Sequence, residues 1–366
     1  GNLRSGFTGK VGALIRNAAM AGCRSPQASA YLDVAMTGGA PHFSGPLRLN
    51  GLRCADKGIV AAQLVMKSDM TLSPQLDSWR GRVNGEAKAL RIQGATLASP
   101  ALDMRFDGSS AKMQGEGDLK LAALGYGDIR AGASKMTTRW SWADGKIQAD
   151  GGIEAASPRV MDVRALHAMA AKSAQTPVGP LAAKLADALS SMQSGGRMRG
   201  RYALTQQAGA GSLNLSSLEW TGSRGGQVAL GNGGSVAIDI PNGRWALNGS
   251  IVSRGAGLPE MALRLRSAPG GGLSGQMFLQ PYEARGARLE SETVRFVARP
   301  DGMTRIETKL RLDGPMPDGF VRGLDLPVQA RWNGGSGFVL NPECAPVRFT
   351  VLKAGAMELG ANSLRL

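Results

Sequence analysis

Cysteine and histidine are scarce in this chain of 366 residues, which holds three of the first and two of the second. So small a supply excludes a disulfide-dense scaffold and leaves no ligand set at zinc-module spacing. Aromatic residues make up 5%, too few for a row of stacking platforms along single-stranded nucleic acid. Acidic side chains are outnumbered, 28 Asp and Glu against 43 Lys and Arg, for a formal charge of +15. No apolar run reaches the roughly 18 residues that a membrane-spanning helix needs. No Gly-X-Y period runs through the chain, so it is not collagenous.

What is present is glycine, 52 residues of it, and a hydrophobic content of 43%. The glycine share is roughly twice the usual one, and the hydrophobic share is too high for a disordered chain. The dominant pattern is alternation with period two. Leu102, Met104 and Phe106 alternate with Asp103 and Arg105, and Leu119 and Leu121 flank Lys120. The same holds for Trp140 and Trp142, Leu213 and Leu215, Val236 and Ile238, Leu263 and Leu265, Leu310 and Leu312, and Leu364 and Leu366. Successive side chains of a strand point to opposite faces, so each such segment has one apolar and one polar face. Between them stand Asp107-Gly108, Asp144-Gly145, Gly231-Asn232-Gly233-Gly234, Asn242-Gly243, Asp301-Gly302 and Asn333-Gly334, dipeptides suited to tight antiparallel hairpins. The turn spacing predicts a mostly-β chain, a long antiparallel meander of about 20 strands.

One region breaks the pattern. Ser157-Pro158 reads as a helix start, with Ser157 as N-cap and Pro158 in the first helical position, followed by Val163, Leu166, Met169 and Ala170 at helical spacing. Leu181, Leu185, Leu189 and Met192 form one face of a second helix, closed by Gly195-Gly196. Two short amphipathic helices are therefore expected, at about 159–173 and 178–193. The division is residues 1–157, a helical insert at 158–195, and residues 196–366.

An apolar sheet face must be covered. A second sheet would give a closed sandwich or barrel. A meander curled into an open groove would instead be covered by a ligand with apolar tails. Periodicity leaves both open.

No catalytic constellation emerges. His42 and His167 stand apart from cysteines and carboxylates at ligand spacing. Gly231–Gly234 and Gly270–Gly272 lack the Lys-Ser/Thr of a phosphate loop. Cys23 and Cys54, 31 residues apart, are candidates for a disulfide in an oxidising compartment, and Cys344 is left over. Arg is dispersed at alternate strand positions and no nucleic-acid motif is present, so nucleic acid is not an expected partner. Its two readings are solvated outer faces and attraction to anionic lipid headgroups.

The C-terminal part carries specific motifs: Trp332-Asn333-Gly334-Gly335, Cys344-Ala345-Pro346-Val347-Arg348-Phe349, Gly360 and Leu364-Arg365-Leu366. Together with Thr176-Pro177-Val178-Gly179-Pro180-Leu181-Ala182-Ala183-Lys184-Leu185, they resemble the YdbH-like family, which stands with the AsmA and TamB-like proteins of Gram-negative envelopes. The resemblance is firmest over 160–366.

It implies an open, elongated β-groove in the periplasm that carries phospholipid between inner and outer membranes, with no cofactor and no enzyme activity. It also implies an N-terminal inner-membrane anchor, outside this sequence, and a small outer-membrane lipoprotein added as a strand at the C-terminal edge. The sequence, which opens at Gly1-Asn2-Leu3-Arg4, reads as a piece of a longer protein. A ligand-free structural sandwich or solenoid, and a dicarboxylate-transport component, are the alternatives. On the groove reading, the expected lining is Leu102, Met104, Phe106, Leu119, Leu121, Trp140, Trp142, Leu213, Leu215, Val236, Ile238, Leu263, Leu265, Leu310 and Leu312. The expected helix face is Leu166, Leu181, Leu185, Leu189 and Met192.

Overall fold

The computed structural model describes residues 6–20, 22–231, 233–240, 245–267, 272–333, 337–341 and 345–365. Cys344, Leu366 and the turn residues Asn232, Asn242-Gly243, Gly270-Gly271 and Gly334-Gly335 lie outside the described residues. Among the described residues the chain is mostly β, with antiparallel pairing and two α-helices near its middle.

It forms two compact units. The first comprises 1–160, 198–213 and 239–241, and the second 161–197, 214–238 and 242–366.

The first unit runs through β1 (Phe7–Met20), β2 (Cys23–Thr37), β3 (Ala40–Cys54), β4 (Ile59–Leu72), β5 (Ser78–Lys88), β6 (Leu90–Ile92), β7 (Ala95–Ala98), β8 (Ala101–Ser109), β9 (Lys112–Leu121), β10 (Ala123–Tyr126), β11 (Ile129–Ala131), β12 (Ser134–Ala143) and β13 (Lys146–Ala156). Neighbours in the chain are neighbours in the sheet. β1 pairs β2, β2 pairs β3 and β3 pairs β4. β4 then pairs both β5 and β6, which are two halves of one long strand. The same holds for β7 with β8, β9 with β10, and β11 with β12.

The breaks between halves explain why the described strands number thirty where the turn spacing predicts fewer. They fall in a row across the sheet. Asn17 faces Pro26, since pairing runs from Arg16–Gln27 to Ala18–Ser25. Gly51 lies within β3 between paired Asn50 and Leu52, Ala89 separates β5 from β6, Ser99-Pro100 separate β7 from β8, and Ala122 separates β9 from β10. Asn17, Gly51, Ala89 and Ser99 have positive φ, from 46° to 66°. The register is the same on both sides of each break, so no residue is inserted; the positive-φ residues take the strands locally out of the extended path along one line of the sheet.

The buried side chains beside that line are mostly small: Ala28, Ala61, Ala87 and Ala131, with Leu97. Ala28 and Ala87 lie on the apolar face by register, opposite Leu49 and Leu64. Cys23 and Cys54 are cross-strand partners joined as a disulfide between β2 and β3.

Asp107-Gly108 is not a turn. Both residues lie inside β8 and pair with β5, and the chain reverses at Ser110-Ala111. The pairing with Arg80 and Trp79 outweighs the local turn preference of the dipeptide.

The second unit contains α1 (Val163–Lys172) and α2 (Val178–Gly195). α1 starts later than the Ser157-Pro158 signal predicts. Arg159 is still bridged to Arg130 by two backbone hydrogen bonds, of 2.7 and 3.0 Å, so that backbone is committed to the sheet. Asp162 is the N-cap, accepting from Arg164 N–H at 2.9 Å.

After α2 come β14 (Arg197–Gln207) and β15 (Ala210–Thr221), each divided between the units. They are followed by β16 (Gln227–Leu230), β17 (Ser235–Ile240), β18 (Trp245–Arg254), β19 (Met261–Ser267), β20 (Leu273–Leu279), β21 (Tyr282–Ala284), β22 (Ala287–Ser291), β23 (Val294–Ala298), β24 (Met303–Met316), β25 (Gly319–Asn333), β26 (Gly337–Leu340), β27 (Pro346–Phe349), β28 (Val351–Ala354), β29 (Met357–Leu359) and β30 (Asn362–Arg365).

Candidate functional site

In the first unit, register sorts the side chains into two faces. Leu102 pairs with Leu119, Leu119 with Met136, and Met136 with Ile153. Met104 pairs with Val83, Gly85 with Met66, Met66 with Leu47, and Leu47 with Ala30. Following this register through β1, β2, β3, β4, β5, β8, β9, β12 and β13, on the side of the row of breaks that holds Ile15, Ala28, Leu49 and Leu64, one face carries no charged residue. Leu102, Met104, Phe106, Leu119, Leu121, Trp140 and Trp142 all stand on it, and each is partly exposed. The uncharged face therefore crosses nine adjacent strands with its large side chains only half covered.

Glycine shapes this face locally. Trp140 lies across Gly115, where an added Cβ would stand 2.8 Å from the indole. The ring thus covers a position that any side chain would block.

The opposite face is charged and balanced. Arg82 Nε donates to Asp103 Oδ1 at 2.8 Å. This hydrogen bond holds the Asp103 carboxyl below the usual carboxylate range and raises the guanidinium. Arg105 pairs with Glu116, Lys135 with Asp118 and Arg139 with Asp150. Asp103, Arg105, Glu116, Asp118, Arg139 and Asp150 line a depression of about 670 Å³ together with Arg201.

The second unit places the remaining candidates. Register puts Val236 in line with Leu247, Leu265 opposite Gly249 and Leu263 opposite Ile251. From there it runs through Met277, Val294 and Phe296 to Ile306, on the same side of β24 as Leu310 and Leu312. Val236, Ile238, Leu263, Leu265, Leu310 and Leu312 therefore share one face. Leu213 and Leu215 lie on β15, in the first and second unit respectively, and are partly exposed.

This face differs from that of the first unit because α2 sits on it. Leu181 packs with Tyr282, Ala287 and Leu312, flanked by Leu289, Leu324 and Leu326. Ala188 and Met192 pack with Leu258, flanked by Leu185, Leu189, Trp220 and Val228. Met192 is fully buried, and Gly222 leaves space for it, since an added Cβ would stand 2.8 Å from Met192 Cγ. Trp220 Nε1 donates to the Met192 carbonyl at 3.2 Å, and Lys184 Nζ donates to the Glu283 carbonyl at 2.8 Å. Tyr282 donates to the Gly257 carbonyl at 2.6 Å, and burial pushes its phenol up to about 12. Leu166 of α1 is half-buried.

The histidines have ordinary partners. His42 Nε2 is 2.9 Å from Asp69 Oδ1, and His167 Nε2 is 3.0 Å from Ser190 Oγ. Among the described residues no group of three His, Cys, Asp or Glu is placed to hold a metal ion, and no helix is long and apolar enough to cross a membrane.

The comparison that decides the family is a match to the YdbH-like model, described as intermembrane phospholipid transport protein YdbH, over residues 7–366. The chain belongs to the YdbH-like family. Membership implies intermembrane phospholipid transport, so phospholipid is the ligand class against which the two sheet faces are to be read. The match also extends the family assignment through the N-terminal strands, where the sequence offers texture and few motifs. No curated protein and no solved structure matches the chain significantly.

What sequence reasoning missed is the row of breaks and the small buried residues beside it. Gly51 and Ser99-Pro100 were the signals available. Ala89 and Ala122 carry none, because positive φ or a break at alanine is set by the neighbouring strands.

Proposed function

We propose that the uncharged face is the surface that carries phospholipid tails, and that the protein works as a non-catalytic segment of a periplasmic bridge between the two membranes. The observation that carries this reading is the face itself: nine adjacent strands without a charge and half-exposed. A transferred methylene is worth about 0.8 kcal/mol out of water, so two acyl tails resist crossing an aqueous gap. An apolar surface removes that barrier while the headgroup stays in solvent. No bond changes, and no catalytic group is required.

On this reading the lining of the first unit is Leu102, Met104, Phe106, Leu119, Leu121, Trp140, Trp142 and Leu213. In the second unit Leu215, Val236, Ile238, Leu263, Leu265 and Leu310 continue the lining type, while Leu312 is taken up by α2. The helical insert at 158–195 then serves as a protein cover for part of an apolar face, between sheet segments 1–157 and 196–366. Anchoring at the inner membrane belongs to the same reading. So does strand addition by an outer-membrane lipoprotein at β29 and β30, where Met357, Leu359 and Leu364 are exposed.

A charge placed on the face tests it. In Met104→Glu and Leu119→Arg, co-purifying phospholipid measured by mass spectrometry should fall to background. Arg105→Glu and Glu116→Arg, at adjacent positions on the other face, should leave it unchanged. Equal lipid content in all four variants would sink the proposal.

A further inference from the structure

The charged faces of the two units differ in a way the net charge alone does not show. In the first unit the depression between β8 and β13 is lined by Asp103, Glu116, Asp118 and Asp150 as well as by arginines, with the pairs Arg105–Glu116 and Arg139–Asp150. In the second unit, β18, β19, β20 and β23 carry Arg254, Arg264, Arg266 and Arg295 and no Asp or Glu.

Register brings three of these arginines together. Ser250, Arg264, Gln276 and Arg295 are successive cross-strand partners, and Arg266 pairs with Ser274 in the next row. Directly opposite positions on neighbouring strands hold their Cβ atoms roughly 5 Å apart. The facing carboxylate at the border is Glu307, opposite Arg295, and it is engaged by Arg305 at 2.7 Å. Arg264, Arg266 and Arg295 form no ion pair among the described residues, and Arg264 rests over the Phe278 ring at 5.4 Å.

These side chains border a depression of about 770 Å³, which Asn248, Ser250 and Ser274 also line. Asn248 Oδ1 accepts from Ser267 N–H at 3.1 Å, and its N–H₂ group is left to donate. The lining is thus rich in donors: guanidinium forks, an amide and hydroxyls. Arginine forks match the oxygens of a phosphate in pairs.

We propose that this basin on β18, β19, β20 and β23 binds a phosphate group. Its chemistry is independent of the uncharged face, so it stands or falls separately from the lipid-carrying reading. Two sources supply such a group: an anionic phospholipid headgroup at a membrane surface, and free inorganic phosphate.

The test compares the triple variant Arg264→Gln, Arg266→Gln, Arg295→Gln with a charge-matched control, Arg82→Gln, Arg105→Gln, Arg139→Gln. Both are titrated with vesicles of phosphatidylcholine, with and without phosphatidylglycerol, and with inorganic phosphate by calorimetry. The basin variant, which loses unpaired arginines, should lose at least about tenfold in affinity, and the control, whose arginines face carboxylates, no more than about twofold. Melting curves check that both variants fold.

Binding of inorganic phosphate that the basin variant loses identifies a free-anion site. Binding to phosphatidylglycerol vesicles that the basin variant loses, with no response to inorganic phosphate, identifies the headgroup at a membrane. Equal losses in both triple variants, or no binding of either probe by the parent protein, would overturn the proposal.

Discussion

In the second unit the apolar sheet face meets α2, whereas in the first the corresponding kind of face is half-exposed over nine strands. Both arise from the same period-two sequence pattern. The second unit shows what such a face accepts: Leu181, Leu185, Leu189 and Met192, unaromatic side chains presented from one helix stripe. Their shape and polarity are close to those of acyl chain segments. The first unit has the same demand for cover without a helix to meet it. The comparison therefore separates apolar surface that the protein covers itself from apolar surface that it leaves for a ligand.

The largest expected effect lies where the protein supplies its own cover. Met192→Ala should lower stability to denaturant by about 3 kcal/mol, because a fully buried side chain leaves a cavity. Leu119→Ala, on the half-exposed face, should lose about 1 kcal/mol, since little burial is forfeited. Equal losses would mean that the two faces are equally covered, and the comparison would fail.

A second prediction concerns the row of breaks in the first unit. Ala61 is 1% exposed, so Ala61→Leu overpacks a filled site beside the row of breaks and should cost about 2 kcal/mol. The same alanine-to-leucine change at exposed Ala62 should be close to neutral in the same denaturation assay. A neutral Ala61→Leu would mean that this site is not crowded.

A smaller effect is expected at Tyr282, beside α2. Its phenol is raised by burial to about 12 from an ordinary value near 10. The folded state therefore holds a proton that the unfolded state releases. The contribution is complete below pH 10 and is lost as the pH rises from 10 toward 12. Tyr282→Phe should flatten the stability profile in that window. An unchanged alkaline slope would show that the phenol is not held in its neutral form by the packing around α2.

Much of this was legible in the residues. Alternation at Leu102–Phe106 and Leu119–Leu121 gives the strands and their faces, and the spacing from Leu181 to Met192 gives α2 and its buried stripe. The breaks were not legible. A break at Ala89 or Ala122 depends on what the neighbouring strand does, and no local preference encodes that. The same reason hides the unpaired arginines. Arg105 and Arg264 look alike in sequence, each alternating with apolar residues, but register sets one opposite Glu116 and the other opposite Gln276. Asp107-Gly108 shows pairing overriding a local turn signal, and Ser157-Pro158 shows it overriding a local helix-start signal.

The most direct test of the central claim is site-specific photocrosslinking in cells. A photoreactive residue is placed in turn at Met104 and Leu119 on the uncharged face, and at Arg105 and Glu116 on the charged one. Phospholipid adducts from Met104 and Leu119, and none from Arg105 and Glu116, are the predicted result. Adducts confined to the charged face, or none at any of the four positions, would contradict the account.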